Sequence, residues 1–320
     1  MKKIQYILLV LCCTAGIASA RTVARFGVIT DIHHTNKSDS STRKYSASLA
    51  KTQYFIDTMN TEKVDFVIEL GDFVDTLVDN KDPLTNLNEV EDVFTSFDGP
   101  TYHVLGNHEF DNVTRDVLLP NLHNTGIPTG QTYYSFDVNS VHCVVLDADY
   151  TIAGPHPAFD MKAPGDNWWS WQDAWIPQEE LNWLKTDLAD SNMPTVIFVH
   201  QVINRDNIQD HTIKNADALR QILENDGQVV AAFSGHDHKG EISVNNGIHY
   251  FVLEGNVGTS DSEGWEKASS TNGTDPVLDN PFSLIEIEEI ETINGQTKYD
   301  VRIMGNAQQY TYMDQTQYRN

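Results

Sequence analysis

Five short blocks of the sequence carry residue types suited to metal chemistry: Asp31-Ile32-His33, Gly71-Asp72, Gly106-Asn107-His108-Glu109, His200 and Gly235-His236-Asp237-His238. Carboxylate oxygen, amide oxygen and imidazole nitrogen together suit borderline transition-metal ions. Asp31-x-His33 alone is weak evidence, as is Gly235-His236-x-His238. The five in order, each behind an apolar run, are a specific pattern. If each pair continues an extended strand, period-2 alternation points Asp31 with His33, and His236 with His238, to the same side. Either pair could then grip one metal, or one each of two neighbours.

The elements that must position these blocks are short β-branched runs alternating with helical patterns, the mark of an α/β domain. Strands are predicted at 23–30, 65–70, 101–105, 195–199 and 229–233, immediately ahead of the five blocks. Ligands in α/β sheets gather at the carboxyl ends of strands, so five separated stretches are expected to converge on one sheet edge. Helical spacing covers 45–60, the end of a helix covers 89–97, and further helices cover 177–190 and 216–223. A hairpin is predicted around Asn139-Ser140 between 133–138 and 141–146. Strands at 247–253, 282–288 and 299–304 close the chain. The segment 148–176 lacks a period and carries Trp168, Trp169, Trp171 and Trp175. Its length marks it as functional or a lid. Its tryptophans are read as packing beneath that loop rather than as a platform for a base or sugar.

The five blocks resemble the signature of the calcineurin-like metallophosphoesterases, over residues 26–238. The resemblance implies an α/β fold, a two-sheet β-sandwich flanked by helices. It implies that Asp31, His33, Asp72 and His238 hold one metal, and that Asp72, Asn107, His200 and His236 hold a second, with Asp72 bridging. The pair would be drawn from manganese, iron or zinc, and would activate a hydroxide for in-line attack on phosphorus. His108, just outside the ligand set, would protonate the leaving oxygen or stabilise phosphoryl charge, oriented by Glu109 or Asp111. Purple acid phosphatases place Tyr three residues after the bridging Asp. Asp75 stands there instead, setting that branch aside. Gly71-Asp72-Phe73-Val74-Asp75, Asn246-Gly247-Ile248-His249 and Gln178-Glu179-Glu180-Leu181 resemble the cyclic-nucleotide phosphodiesterase and ADP-ribose/CDP-alcohol diphosphatase branch. The expected substrate is therefore a small phosphorylated molecule, a nucleotide-type diester or pyrophosphate, ahead of a monoester. A binding protein on the same scaffold is the alternative of another class.

Composition narrows the partners. The chain has 320 residues, 40% hydrophobic, with formal charge −25. So acidic a chain is a poor general binder of nucleic acid, and without a basic amphipathic stretch it suits no membrane surface. Lys2, Lys3, the apolar stretch Ile7 to Ile17 and Ala18-Ser19-Ala20 have the layout of a cleaved secretory signal, with cutting expected after Ala20. The mature chain, 21–320, is expected to be one domain, secreted or periplasmic. Its one remaining cysteine, Cys143, excludes an internal disulfide and reads as a buried apolar residue. His34 is read as a neighbour of the site, His103 as structural, and Asp237 as solvent-facing or behind the ligands.

Overall fold

The computed structural model describes residues 20–40, 42–78, 82–152, 159, 171–206, 209–258, 280–293 and 296–305. The expected export signal, apart from Ala20, and Trp168 and Trp169 lie outside these.

In the first half, β1 (Arg21–Ile29), α1 (Ser48–Glu62), β2 (Phe66–Glu69), α2 (Thr85–Phe94), β3 (Thr101–His103) and the one-turn α3 (Arg115–Leu118) follow one another. Then come β4 (Tyr134–Val138), β5 (Val141–Val145), α4 (Gln178–Asp190), β6 (Thr195–Phe198), α5 (Ala216–Asp226) and β7 (Val229–Ser234). The chain closes with β8 (Lys239–Asn245), β9 (Ile248–Glu254), β10 (Ser283–Ile293) and β11 (Gln296–Gly305). A five-stranded sheet has the order β11-β10-β1-β2-β3, and a six-stranded sheet the order β4-β5-β6-β7-β9-β8. Strands β1, β2 and β3 run parallel, as do β5, β6, β7 and β9, while β10, β4 and β8 pair antiparallel to their neighbours. The inner strands are apolar runs rather than alternating ones because both of their faces are covered.

The two sheets pack face to face. Phe26, Phe66, Phe198 and Phe233 are fully buried between them, with Phe26 stacked on Phe66 at 4.7 Å and Phe198 on Phe233 at 5.8 Å between centroids. On the outer face of the first sheet, α1 and α2 contribute Phe55, Ile56, Met59, Leu87, Val90 and Phe94. On the outer face of the second, α4 and α5 contribute Leu181, Leu184, Leu188, Leu219 and Leu223. The result is the expected two-sheet α/β sandwich flanked by helices. Each fully buried Leu or Phe contributes roughly 1.5–3 kcal/mol of transfer free energy, and the three clusters together fix the layers.

Local signals explain most boundaries. Gly227 ends α5 in the left-handed region, where a missing Cβ removes the penalty. Glu179 and Glu180 sit in the first turn of α4, complementing its positive end. One strand goes beyond the sequence reading: β8 pairs with β9 through Asn246-Gly247, both at positive φ, the geometry a two-residue hairpin turn requires. No helix among the described residues is long and apolar enough to cross a membrane.

Candidate metal centre

Each block lies past its strand, in a turn. Strand β1 ends at Ile29 and β7 at Ser234. Asp31, His33, Asp72, His236 and His238 hold φ of 53, 49, 55, 68 and 62°. The extended-strand picture of the Asp31/His33 and His236/His238 pairs is therefore wrong. Left-handed residues, not pleat alternation, turn these side chains inward, at about 1–3 kcal/mol of local strain each. The turns are laced to one another: Asp31 and His33 N–H donate to Gly71 and Asp72 carbonyls, Gly235 N–H to His200 carbonyl, and Val257 N–H to Asp31 carbonyl. Gly235 is required by close approach, since a Cβ there would lie 2.0 Å from Thr30 Oγ1 and 2.6 Å from Asp31 Oδ2.

The turns bring the candidates together as two groups that share one residue. Asp31, His33, Asp72 and His238 form one, and Asp72, His200 and His236 the other, with donor atoms in each within 4.8 Å of one another. His238 Nε2 lies 3.0 Å from Asp31 Oδ1, His33 Nε2 3.6 Å from Asp72 Oδ2, and His200 Nε2 3.2 Å from the same Asp72 oxygen. Asn107 is buried beside them, and the following N–H, of His108, donates to Asp72 Oδ1 at 2.8 Å. Asn107 Oδ1 and His236 Nε2 are buried without a hydrogen-bond partner, while Asp31 Oδ1 and His200 Nε2 meet only other members of the same two groups. Buried polar atoms are ordinarily satisfied, so this set of inward oxygen and imidazole donors fits two divalent cations.

Electrostatics agree. Burial alone would raise the Asp31 carboxyl, but the surrounding imidazoles, His238 foremost, hold it well below the usual range. Asp72 is likewise lowered against its burial, by His200 and His108. Burial lowers His200, but Asp72 outweighs it and pushes the imidazole up to about 10, whereas burial and His200 push His236 well below its ordinary value. Imidazole ligates only when neutral, so a raised His200 value ties cation binding there to proton release.

The supporting groups are specific. His200 Nδ1 donates to Leu70 carbonyl at 2.7 Å, and His33 Nδ1 faces Asp75 Oδ2 at 3.3 Å, which fixes both rings with Nε2 inward. His108 is 19% exposed, while the ligand candidates are buried, so it borders the open side. Its Nδ1 lies 2.6 Å from Asp111 Oδ2. Of the two orienting residues considered, Asp111 therefore has the part. Glu109 instead accepts the N–H groups of Gly106, Asp72 and Phe73 at 2.7, 3.0 and 2.6 Å.

Several neighbours escaped sequence reading. Asp75, which the sequence places in the Gly71-to-Asp75 motif without a role, contacts His33, His108, Lys37 at 2.7 Å and Arg43 at 3.6 Å. The Gly-Asp-x-x-Asp spacing was the available signal. Lys37 and Arg43 have no motif. Trp171 borders the centre: its ring lies 4.6 Å from His211 and 5.3 Å from His236. Other residues went as read. His34 bonds Ser48 and Glu89, and His103 lies buried between Glu69 and Glu91. Cys143 is buried and free. Asp237 turns away from the centre but is buried, not solvent-facing.

A two-sheet α/β sandwich whose strand ends gather two sets of hard and borderline ligands around one shared carboxylate defines a metal-dependent hydrolase. The calcineurin-like phosphoesterase family model matches residues 24–240, and the chain belongs to that family, whose members hydrolyse phosphoric ester bonds. The manganese-dependent ADP-ribose/CDP-alcohol diphosphatase of Arabidopsis thaliana is 27% identical over 274 residues, covering 75% of this chain and 88% of the relative. The human enzyme of the same name is 27% identical over 292 residues, covering 76% and 85%. A dimetal phosphatase from Danio rerio shares the fold with a TM-score of 0.64 at 18% identity, covering 90% of this chain and all of that one.

Proposed function

We propose that this protein is a two-metal hydrolase of nucleotide-type diphosphates, cleaving the pyrophosphate of an ADP-ribose- or CDP-alcohol-like substrate. In this reading Asp31, His33, Asp72 and His238 hold one ion, and Asp72, Asn107, His200 and His236 the other. The observation that carries it is the shared Asp72 between two buried ligand groups, with Asn107 Oδ1 and His236 Nε2 buried and unpartnered beside it. Divalent ions held by these residues would supply water activation at neutral pH and Lewis-acid stabilisation of phosphoryl charge.

The chain's own residues do the rest. Asp111 holds the proton on His108 Nδ1, leaving Nε2 to protonate the departing oxygen. Burial lowers His108, but Asp72, Asp111 and Asp75 outweigh it and hold the imidazole above its ordinary value; the Asp111 and Asp75 contacts at 2.6 and 3.4 Å suit it to carry the proton it would donate. Lys37 and Arg43, gathered around Asp75 at the rim, are cations suited to the second phosphate of a diphosphate. The names of the relatives support the diphosphate over a monoester. Export by the basic, apolar and small-residue head is part of the same proposal, and the N-terminal sequence of secreted protein tests it.

The test is hydrolysis with added manganese of ADP-ribose and CDP-alcohols, and of bis(p-nitrophenyl) phosphate against p-nitrophenyl phosphate, beside Asp72→Ala. Diphosphate cleavage that chelator and Asp72→Ala both abolish supports the reading. Preference for the monoester moves it to a phosphatase, and two bound metals with no turnover on any substrate refutes it.

A further inference from the structure

His236 and His238 come from one short turn but serve different groups: His236 lies with Asp72 and His200, His238 with Asp31, His33 and Asp72. The conformation of Gly235-His236-Asp237-His238 therefore sets the spacing between the two groups. Both histidines sit in the left-handed region, which non-glycine residues hold only when the surroundings enforce it.

Besides His236 N–H donating to Asp31 Oδ2 at 3.0 Å, the turn is held on its far side. Asp237 is buried, with Oδ2 2.5 Å from Arg205 Nη1 and Oδ1 3.7 Å from His211 Nδ1. The same guanidinium reaches Glu241 Oε2 through Nε at 2.7 Å and Nη2 at 2.6 Å. Glu241 lies on β8, the strand leaving the turn. Arg205 thus ties the middle of the turn to its exit. Arg205 is itself anchored: its carbonyl accepts from Arg220 Nη1 of α5 at 2.8 Å, and Asn204 Nδ2 donates to Glu241 Oε1 and Ser243 Oγ. Since Arg205 stands on the loop that follows His200, it also couples that ligand's loop to the two-histidine turn.

We propose that Arg205 is a positioning residue: by bridging Asp237 and Glu241 it fixes the spacing of His236 and His238, and so matches the two ligand groups to two cations. This rests on the two-metal reading above. Both edges of the guanidinium are occupied by carboxylates and its side chain is 16% exposed, so it is not offered to substrate. Lysine, a point charge without a planar fork, cannot span both carboxylates.

The test uses the full chain as wild type, R205K, R205Q and R205Q/D237N. Manganese binding to chelator-stripped protein is followed by calorimetry without substrate, and kcat and KM for bis(p-nitrophenyl) phosphate are measured at saturating manganese. R205Q and R205K should weaken manganese binding by roughly 10–100-fold, as loss of a group supporting a metal ligand does, and lower kcat with little change in KM. R205Q/D237N should recover part of the affinity, because no buried carboxylate is left without its partner. If R205Q does not fold in chelator, R205K and D237N carry the same comparison. Unchanged manganese affinity with a raised KM would make Arg205 a substrate contact, and unchanged affinity with only a lower melting temperature would make it a fold residue. Either overturns the proposal. A wild type that binds two manganese ions but cleaves no ester refutes the hydrolase reading, while calorimetry of R205Q still decides this one.

Discussion

Replacing Glu109 with Gln keeps shape and volume and changes only what the carboxylate accepts. Oε2 takes the N–H groups of Gly106 and Asp72, and Oε1 takes that of Phe73 at 2.6 Å. An amide can keep its oxygen at the first position, but its NH2 then faces the Phe73 donor. Hydrogen bonds to a charged acceptor are worth about 1.5–3 kcal/mol each and neutral ones about 0.5–1.5. One bond is lost and two weaken, a raw loss of about 3.5–6 kcal/mol. Burial, Asp72 and Glu69 push the Glu109 carboxyl up to about 8, which shrinks the advantage of the charged form. The expected cost is therefore about 2–4 kcal/mol. Because the three donors frame Asp72, the loss should fall on the shared ligand as well as on the fold. Urea unfolding of stripped protein reads the first, and manganese titration of wild type against Glu109→Gln reads the second. A stability change below about 0.5 kcal/mol, within surface-substitution noise, with unchanged manganese affinity would refute the argument that this carboxylate frames the centre.

Gly235→Ala should destabilise the protein by about 1–3 kcal/mol, the usual cost of overpacking, and abolish manganese-dependent turnover; wild-type activity in the purified variant would contradict the close approach to Thr30 and Asp31. Asp111→Asn should lower kcat by roughly 10–100-fold, the range for supporting partners of active-site groups, with KM little changed; steady-state kinetics check it, and a change confined to KM counts against His108 as proton donor. His142, buried between Asp187 and Asp137, has its imidazole raised, because those two carboxylates outweigh the burial that lowers it. A raised folded value means the stabilisation is complete below the unfolded value near 6.5 and is lost as pH rises through the folded one. The stability gap between wild type and His142→Gln should accordingly be larger at pH 5.5 than at pH 9, and a pH-independent gap would refute it.

The sequence by itself determined the sandwich and the seven ligand candidates. Each of β1, β2, β3, β6 and β7 is an apolar run that ends abruptly in Gly, Asp, Asn or His, and such local punctuation survives without any knowledge of partners. Short-range turn chemistry was legible too, though β8 was missed because Lys239–Asn245 is polar on its exposed edge and only Asn246-Gly247 announced it. What tertiary structure alone decided is how the candidates aim and what holds them. Period-2 reasoning failed for Asp31/His33 and His236/His238 because the chain leaves the strand one or two residues before each pair, and a left-handed φ cannot be read from Asp or His identity. Arg43 and Arg205 were invisible as parts of the centre because their partners are distant in sequence: Arg205 meets Asp237 only when the loop after β6 folds against the turn after β7. Periodicity along the chain encodes which face is buried, whereas the charge partners of a buried centre are set by how separate strands are registered, information held in the packing and not in any one segment.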